Sequence, residues 1–557
     1  MPPRYSKELK ELVVSGFQKR QNRTSPCEAH CPAGNRIQAV ETLIKDGKPE
    51  EAHAVLLSRN PFSGVTGRVC THPCEMHCNR RKYDEGISIR ALERFAADAP
   101  VISRLAPLAD TGKKVAVIGS GPAGMTCAYF LRLMGHAVTV FEASAVLGGV
   151  PRVSVPDFRL PKNVVDREVG NVLSLNIAAH TNVKVGRDVA LAAIMDAYDA
   201  TVVAVGNQKE RLLNIPGREA LVPAVSFLGA SNLSRQSLAG KNVVVLGGGG
   251  VAFDCAFTAR RLGAGSVSLV FPEAADAIKA PQEEVEQARA ENINLYASYL
   301  ADGVEGNTVR ASGLSSFRFS ESGELIAEFR EGDVISLPAD MVICASGLMP
   351  ETDFLEGLSL QKTARGYMVV DDFQESSVPG LFAAGDIVTG PATVASAIGS
   401  GRRAAIGVHC RLEGLTEFPE VVFKENGSGT LSLVMEKKAL RQEQHVVQFE
   451  EIENPTYHEH APRQQTNKSD RTHLLPFEEI DLGFNAEQAQ SEASRCIHCG
   501  HCIDCGTCVE RCPNYILDRN EDGPFVRYPE ECWHCACCRI GCPTGSITIE
   551  FPITMLV

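Results

Sequence analysis

The stretch Val115-Ala116-Val117-Ile118-Gly119-Ser120-Gly121-Pro122-Ala123-Gly124 determines the fold of the central part of the chain. Its four apolar residues predict a buried strand, its G-x-G-x-x-G sequence predicts a tight turn, and a helical pattern follows. Glycines in such a turn let the backbone approach a pyrophosphate, which binds at the helix N-terminus. A second predicted strand ends in Glu142, whose carboxylate can accept hydrogen bonds from ribose hydroxyls. The pattern predicts a dinucleotide site containing Gly119, Gly121, Gly124 and Glu142.

A second copy of this pattern begins at Asn242. An apolar run leads into a glycine-rich turn, and the motif positions are occupied by Gly247, Gly249 and Ala252. The predicted strand after the helix ends in Pro272-Glu273. Two dinucleotide sites in one chain imply two dinucleotides, and a flavin with a nicotinamide is the pairing suited to redox chemistry.

The cysteines are concentrated at the two ends of the chain. Of 20 cysteines among 557 residues, five lie between Cys27 and Cys78 and eleven between Cys496 and Cys542. We find no secretory signal and no apolar run long enough to span a membrane. We therefore expect a cytoplasmic protein whose thiols bind metal rather than form disulfides. The net charge of −13 argues against nucleic acid and anionic membranes as partners.

The C-terminal cysteines form two copies of one run. Each copy has the spacing of bacterial ferredoxins, in which three thiolates bind one [4Fe–4S] cluster and the fourth binds the other. This spacing predicts two ligand sets, namely Cys502, Cys505, Cys508 with Cys542, and Cys532, Cys535, Cys538 with Cys512. Cys537 interrupts the spacing and is predicted to bind no iron. A segment that binds only zinc is the alternative.

The central residues resemble a family of flavin enzymes. Gly148-Gly149, the run from Pro156 to Pro161 (Pro-Asp-Phe-Arg-Leu-Pro) and the run from Val378 to Asp386 (Val-Pro-Gly-Leu-Phe-Ala-Ala-Gly-Asp) are similar to segments of the glutamate synthase small subunit. Its relatives include the electron-transfer half of dihydropyrimidine dehydrogenase and the flavin subunits of ferredoxin-linked transhydrogenases. The resemblance implies that FAD binds at the first glycine motif with Gly149, Gly385 and Asp386. It also implies that a nicotinamide domain, carrying the second motif, is inserted into the FAD domain.

Two residues indicate which nicotinamide nucleotide is preferred. They lie at the end of the second strand predicted for the nicotinamide domain. NADPH-using members of the family place two arginines there to bind the 2′-phosphate, whereas this chain has Pro272-Glu273. A carboxylate repels a phosphate and accepts hydrogen bonds from free ribose hydroxyls, so we expect NADH to be preferred over NADPH. In the alternative, Glu273 points into solvent and Arg260 or Arg261 binds the phosphate of NADPH.

The N-terminal cysteines are two ligands short of the two [4Fe–4S] clusters that this region holds in the relatives. The segment around Cys496 and Cys499 is similar to the one that supplies those ligands in the relatives. The resemblance thus implies one cluster bound by Cys27, Cys78, Cys496 and Cys499. It implies another bound by Cys31, Cys70, Cys74 and Glu93, although Glu93 could instead be a solvated helix residue. Fifteen cysteines and Glu93 then fill four clusters and leave five cysteines, namely Cys537 and four predicted core residues, Cys127, Cys255, Cys344 and Cys410.

These observations together predict a multidomain α/β protein. Helical patterns over residues 5–20 and 36–58 make the N-terminal part a helical domain. The predicted units are a helical iron–sulfur domain (1–105), an FAD domain (106–230 and 360–412), an inserted Rossmann-like NAD(P) domain (231–359), a linker (413–485) and an α+β ferredoxin-like domain with two [4Fe–4S] clusters (486–557).

The predicted parts indicate an oxidoreductase. A nicotinamide nucleotide transfers two electrons to a flavin as a hydride, and iron–sulfur clusters accept one electron each. The chain contains no recognisable substrate-converting domain after the nucleotide domains. We therefore expect the other substrate to be a ferredoxin or a partner redox enzyme, docked at the ferredoxin-like end within a hetero-oligomeric complex. A glutamate synthase small subunit and a non-catalytic iron–sulfur scaffold are the alternatives.

Overall fold

The N-terminal region is helical in the computed structural model, which describes residues 17–19, 23–102, 105–278, 280–319, 325–415, 421–425, 429–433, 445–469, 477–520 and 523–549. Its elements are β1 Phe17–Lys19, β2 Arg23–Thr24, α1 Pro26–Ala29, α2 Ile37–Lys45, α3 Pro49–Leu57, α4 Ser63–Val69, α5 Pro73–Met76 and α6 Ile89–Ala97. The helical pattern over 36–58 is divided between α2 and α3, because Gly47 adopts a left-handed φ of 73°.

The predicted helix over 5–20 is wrong at its C-terminal end, where residues 17–19 form a strand. Residues 5–16 lie outside the described residues.

The first glycine motif lies in a parallel sheet covered by helices. Its elements are β3 Lys114–Ile118, α7 Pro122–Leu133, β4 Ala137–Phe141, α8 Val150–Val153, α9 Lys162–Leu173, β5 Ala178–His180, α10 Leu191–Ala197 and β6 Ala200–Val203. All strand pairs in this part of the sheet are parallel. The strands are nearly continuous apolar runs because helices cover both faces of a parallel sheet.

The second glycine motif lies in another five-stranded parallel sheet. The elements are β7 Lys209–Glu210, β8 Leu221–Pro223, α11 Ala224–Ser234, β9 Asn242–Leu246, α12 Gly250–Arg261, β10 Ser266–Phe271, α13 Gln282–Ala290, β11 Asn294–Ala297, β12 Tyr299–Glu305, β13 Thr308–Phe319, β14 Leu325–Pro338, β15 Met341–Cys344 and β16 Leu348–Met349. The strand order is β11-β10-β9-β15-β8, and β12, β13 and β14 form a separate antiparallel sheet. Because β8 pairs with β15, this sheet begins before the predicted domain boundary at residue 231.

The chain then returns to the first sheet. The returning elements are β17 Leu381–Ala383, α14 Asp386–Thr389 and α15 Val394–Leu412. Strand β17 pairs with β6 and completes the order β17-β6-β3-β4-β5. Strands β7 and β16 pair with each other at the point where the chain leaves the first sheet and returns to it.

The C-terminal part is tied to the N-terminal part by strand pairs. Its elements are β18 Val421–Glu425, β19 Gly429–Leu433, β20 His445–Val446, β21 Asn467–Lys468, β22 Asp481–Gly483, α16 Ala486–Ser494, α17 Thr507–Glu510, β23 Leu517–Asn520, β24 Gly523–Val526, α18 Cys537–Gly541 and β25 Ile547–Ile549. Strand β1 pairs with β25 and β2 pairs with β20. Within the described ranges, no helix is long and apolar enough to cross a membrane.

Candidate functional site

The first glycine motif forms the turn between β3 and α7. Gly119 has a φ of 103° and Gly149 a φ of 61°, conformations that favour glycine. A Cβ added at Gly149 would lie 2.7 Å from Cα of Gly121, so the two glycine turns touch. A Cβ added at Gly121 would meet no atom of the described residues within 4 Å. The turn therefore leaves room at the N-terminus of α7, where a pyrophosphate fits.

Glu142 is fixed at the end of β4. Its carboxylate accepts hydrogen bonds from the backbone N and Oγ of Ser120 at 2.9 and 2.6 Å. It also accepts bonds from the backbone N and Oγ of Ser144 at 2.7 and 2.6 Å. The carboxylate is buried at the strand end, the position from which such an acid reaches a ribose.

The closing segment lies against the same motif. A Cβ added at Gly385 would lie 2.9 Å from Cβ of Ala123, and one added at Gly401 would lie 2.1 Å from the Ala123 carbonyl oxygen. Helix α15 thus packs backbone to backbone against α7. Asp386 begins α14, and burial raises the pKa of its carboxyl to about 6. The residues predicted for FAD, including Gly124 within α7, are thereby brought together.

The second glycine motif has the same turn between β9 and α12. Gly247 has a φ of 142°, and a Cβ added there would lie 2.6 Å from the Ala345 carbonyl oxygen. A Cβ at Gly249 would meet no described atom within 4 Å, and Ala252 is buried in α12. Glu273 is only 8% exposed, and its Oε2 would lie 3.0 Å from a Cβ added at Gly248. Glu273 therefore faces the glycine motif and does not point into solvent.

The two arginines considered for the 2′-phosphate are engaged elsewhere. Arg261 binds the Glu291 carboxylate with two nitrogens at 2.9 Å each, and its guanidinium lies 4.2 Å from the Phe158 ring centre. Arg260 donates to the Ala264 carbonyl oxygen at 3.0 Å. Both residues lie at the C-terminal end of α12, roughly 16 Å along the helix from the glycine motif.

The predicted iron ligands line four cavities, which we name A, B, C and D. Cavity A is lined by Cys31, Cys70, Cys74 and Glu93. Cavity B is lined by Cys27, Cys78, Cys496 and Cys499. Cavity C is lined by Cys502, Cys505, Cys508 and Cys542. Cavity D is lined by Cys512, Cys532, Cys535 and Cys538.

These four sets suit a cluster better than a single ion. Among the described residues, no three His, Cys, Asp or Glu side chains are arranged to hold one metal ion. A [4Fe–4S] cluster differs, because its four irons each take a separate protein ligand and the ligands surround a larger volume. Cys537 is not among the residues that line cavity D in the described part of the chain. In the described part of the chain, the residues that line the four cavities do not include four further cysteines, which are buried in hydrophobic cores: Cys127, Cys255, Cys344 and Cys410.

Glu93 lines cavity A and has one carboxylate oxygen held by three hydrogen bonds. Its Oε1 accepts hydrogen bonds from Asn35 Nδ2 and Asn60 Nδ2, each at 3.0 Å, and from Thr66 Oγ1 at 2.6 Å. Burial raises the pKa of Glu93 to about 7. The side chain is 8% exposed, so it is not a solvated helix residue. Its Oε2 remains as the oxygen that could bind iron.

Cavity B is closed by residues from opposite ends of the chain. Glu492, in α16, accepts hydrogen bonds from the backbone N of Ser88 at 2.7 Å and of Gln464 at 2.8 Å. It also binds Arg495 at 2.8 Å, and Arg495 binds Asp84 at 3.1 Å. This buried network holds the segment with Cys496 and Cys499 against the N-terminal helices.

Glu41 was not predicted from the sequence. It lies in α2, is 2% exposed and lines both cavity A and cavity B. Burial raises the pKa of its carboxyl to about 8. The one available signal was its position on the apolar face of α2, between Val40 and Ile44, where an acidic residue is unusual.

The four cavities follow one another from the FAD motif to the C-terminal domain. Ala395 of α15 lines cavity A, and cavities A and B share Glu41 and Ile89. Between B and C, the backbone N of Gly500 donates to the carbonyl oxygen of Thr544 at 2.6 Å. Cavities C and D adjoin one hydrophobic core, which contains Cys508, Cys512 and Cys542.

Three family models match separate parts of the chain. The pyridine nucleotide-disulphide oxidoreductase model matches residues 113–401. The model of dihydropyrimidine dehydrogenase domain II, with a 4Fe-4S cluster, matches residues 20–104. The 4Fe-4S dicluster domain model matches residues 501–547.

Several curated proteins are similar over most of the chain. The NADP(+)-dependent formate dehydrogenase subunit beta of Moorella thermoacetica is 33% identical over 513 residues, covering 86% of this chain and 70% of that protein. The NADPH-Fe(3+) oxidoreductase subunit beta of Geobacter sulfurreducens is 28% identical over 516 residues, covering 86% and 75%. The glutamate synthase [NADPH] small chain of Azospirillum brasilense is 33% identical over 428 residues, covering 72% and 89%.

Proposed function

Because the chain belongs to the pyridine nucleotide-disulphide oxidoreductase family, within its glutamate synthase small subunit-like branch, we propose that it transfers electrons between a nicotinamide nucleotide and a protein partner. The family resemblance predicted from the sequence is confirmed, and so are FAD, NAD(P) and 4Fe-4S clusters as the family's cofactors. The partner is a ferredoxin or another redox enzyme, in either direction of transfer.

The observation that supports this proposal best is the row of four cavities. Each cavity is lined by four residues able to bind one cluster, and cavity A adjoins the helix that closes the FAD motif. Neighbouring cavities share side chains, a backbone hydrogen bond or a common core. A scaffold protein would need the clusters for its fold alone and gains nothing from a row that begins at a flavin site.

The residues of this chain then have the following roles. Gly119, Gly121, Gly124, Gly149 and Gly385 give the backbone close access to FAD, while Glu142 and Asp386 orient it. Gly247, Gly249, Ala252 and Glu273 receive the nicotinamide nucleotide. When bound, FAD accepts a hydride as two electrons, and four [4Fe–4S] clusters carry one electron each. The buried side chains around cavities A and B exclude water from the thiolates.

We further propose that NADH is preferred. The named relatives carry NADP(+) or NADPH in their names. This chain, however, has a buried carboxylate facing the glycine motif where NADPH-using relatives are expected to have arginines. Residues 272–279 contain two acidic residues, Glu273 and Asp276, and one basic residue, Lys279, in place of the expected pair of arginines. A 2′-phosphate placed there would be repelled.

We propose that the chain works as the electron-transfer subunit of a hetero-oligomeric complex. Two of the named relatives are beta subunits, and each covers 86% of this chain. The glutamate synthase small chain is the second candidate. It is 33% identical to this chain, as the formate dehydrogenase beta subunit is, but it covers only 72% of the chain.

An anaerobic titration tests the proposal. The purified protein is titrated first with NADH and then with NADPH, while flavin bleaching, cluster absorbance and iron content are followed. We expect about 16 iron atoms per chain and loss of both absorbances with NADH. An absence of any response to either nucleotide would favour the scaffold. A content of two clusters would contradict the assignment of cavities A and B.

A further inference from the structure

The two halves of the ferredoxin-like domain repeat each other in sequence but differ in the residues at the rim of cavities C and D, where each cavity meets the solvent. Cys502-Ile503-Asp504-Cys505 in one half corresponds to Cys532-Trp533-His534-Cys535 in the other. Trp533 is the one tryptophan of the chain, lines cavity D and is 63% exposed. An exposed tryptophan that packs against little of its own chain adds no stability that a smaller residue would lack.

A second aromatic residue lies on the same rim. After the last cysteine of each run, Tyr515 corresponds to Gly545, and both adopt left-handed backbones with φ of 52° and 66°. Glycine adopts this conformation freely, whereas a tyrosine is strained in it. Tyr515 is nevertheless 82% exposed. Asn514 Nδ2 donates to the Glu531 carbonyl oxygen at 2.5 Å, which joins the loops that carry Tyr515 and Trp533.

Part of the corresponding face of cavity C is covered by the chain itself. Gly545 is buried, and its carbonyl oxygen accepts a hydrogen bond from Arg23 NH1 at 2.8 Å. Arg23 in turn binds Glu451 at 2.6 Å. Cys502, Ile503 and Asp504, which also line cavity C, are exposed, so both cavities reach the surface and cavity D differs in carrying two exposed aromatic side chains.

The charge of this rim is acidic. Between Cys502 and Cys542 the sequence has seven acidic residues, four arginines and no lysine. Three of these arginines form ion pairs with Asp504, Asp518 and Glu453. Among the described residues, Glu530 and Glu531, directly before Cys532, have no basic partner within the 4.0 Å of an ion pair. The other half has Gly500-His501 directly before Cys502, so the acidic pair is found only at cavity D.

We infer that Trp533 and Tyr515, with Glu530 and Glu531, form the docking face for a redox protein that presents an apolar pocket rimmed by lysine and arginine. The inference rests on the proposed function and adds the residues that contact the partner and the chemistry of the partner's surface. Aromatic anchors supply the binding energy of such faces, and the acidic pair steers a basic partner. One NADH yields NAD⁺, one proton and two electrons, so two one-electron acceptors are reduced for each NADH oxidised.

The test compares acceptors in the full-length protein loaded with FAD and clusters. Cytochrome c serves as a basic one-electron protein acceptor and ferricyanide as a small acceptor, with NADH as donor under anaerobic conditions. One variant carries Trp533→Ile and Tyr515→Gly, which are the residues of the other half and suit the local backbone. A second carries Glu530→Lys and Glu531→Lys. Ile503→Ala and Glu510→Lys are the matched controls near cavity C.

We expect the aromatic variant to reduce cytochrome c at least roughly tenfold more slowly than wild type. The charge variant should be about tenfold slower at low ionic strength and lose its salt dependence. Flavin bleaching should be unchanged in both variants, and each cytochrome c rate is divided by the ferricyanide rate of the same variant, so that a change in cavity D itself is not counted as lost docking. Unchanged cytochrome c reduction in both, or equal losses in the controls, would overturn the docking face. If wild-type flavin does not respond to a nicotinamide nucleotide, the proposed function itself fails.

Discussion

Replacing Glu273 by alanine should change the choice between NADH and NADPH. Glu273 is buried and faces the glycine motif, where we propose that the nucleotide binds. In wild type, we expect the carboxylate to accept a ribose hydrogen bond from NADH and to repel the 2′-phosphate of NADPH. The alanine variant loses both effects, so NADH should bind more weakly and NADPH more tightly.

The size of the effect follows from burial. Two unit charges at about 4 Å interact by about 1 kcal/mol in bulk water and about 4 kcal/mol at an effective dielectric constant of about 20. Since Glu273 is 8% exposed, we take the repulsion as about 2–3 kcal/mol, which corresponds to roughly 30- to 150-fold in NADPH affinity. Loss of one hydrogen bond to a charged acceptor should weaken the binding of NADH by about 1.5–3 kcal/mol.

Stopped-flow flavin reduction at varied nucleotide concentration measures both affinities in one assay, without a protein partner. Asp276→Asn is the matched control, because Asp276 lies in the same loop but is exposed. The control should keep the wild-type ratio of the affinities for NADH and NADPH. A wild-type enzyme that favours NADPH, or an alanine variant that changes both nucleotides by the same factor, would refute the reasoning.

Three further substitutions test the cofactor sites. Glu93→Ala should lower the iron content by about a quarter and remove one cluster signal in electron paramagnetic resonance. The control Glu51→Ala, at an exposed position, should leave the iron content and the signals unchanged. Full iron content in Glu93→Ala would show that Glu93 is no ligand. Cys496→Ser should lose the cluster of cavity B, while Cys537→Ser should retain all four, and the reverse result would contradict the ligand assignment. Gly401→Ala should impair FAD retention, measured as flavin per chain, because its Cβ would lie 2.1 Å from the Ala123 carbonyl oxygen. Gly170→Ala, a helix position with no described atom within 4 Å, should instead raise stability by up to about 1 kcal/mol, and equal flavin loss in both would rule out the packing argument.

The parts of the fold that could be predicted are those fixed by local sequence. Each glycine motif lies between a strand and a helix because its turn needs left-handed glycines close to the next strand, and that need is visible in the spacing. The ferredoxin cysteines are equally local. The ligands of cavity B could be predicted only from the family resemblance. They lie more than 400 residues apart in the sequence, and no spacing rule connects them.

Other features depend on tertiary contacts and left little trace in the sequence. Strand β1 forms where a helix was expected, since its pairing with β25 outweighs local helical preference. The antiparallel sheet of β12, β13 and β14 carries no motif and was not predicted. Glu41 becomes notable only when α2 is packed between two cavities. The start of the nicotinamide sheet was placed too late because β8 is short and joins the sheet at its edge.

The shared construction of cavity B has a consequence for biosynthesis. Cys27 and Cys78 are synthesised roughly 400 residues before Cys496 and Cys499, which line the same cavity. The four predicted ligands of cavity A all lie in the N-terminal helices, so they can come together first. Cavity B, in contrast, can be completed only after the segment with Cys496 and Cys499 has folded back onto those helices. If the proposed ligands are right, we expect a cluster in cavity B to be inserted after the cluster in cavity A.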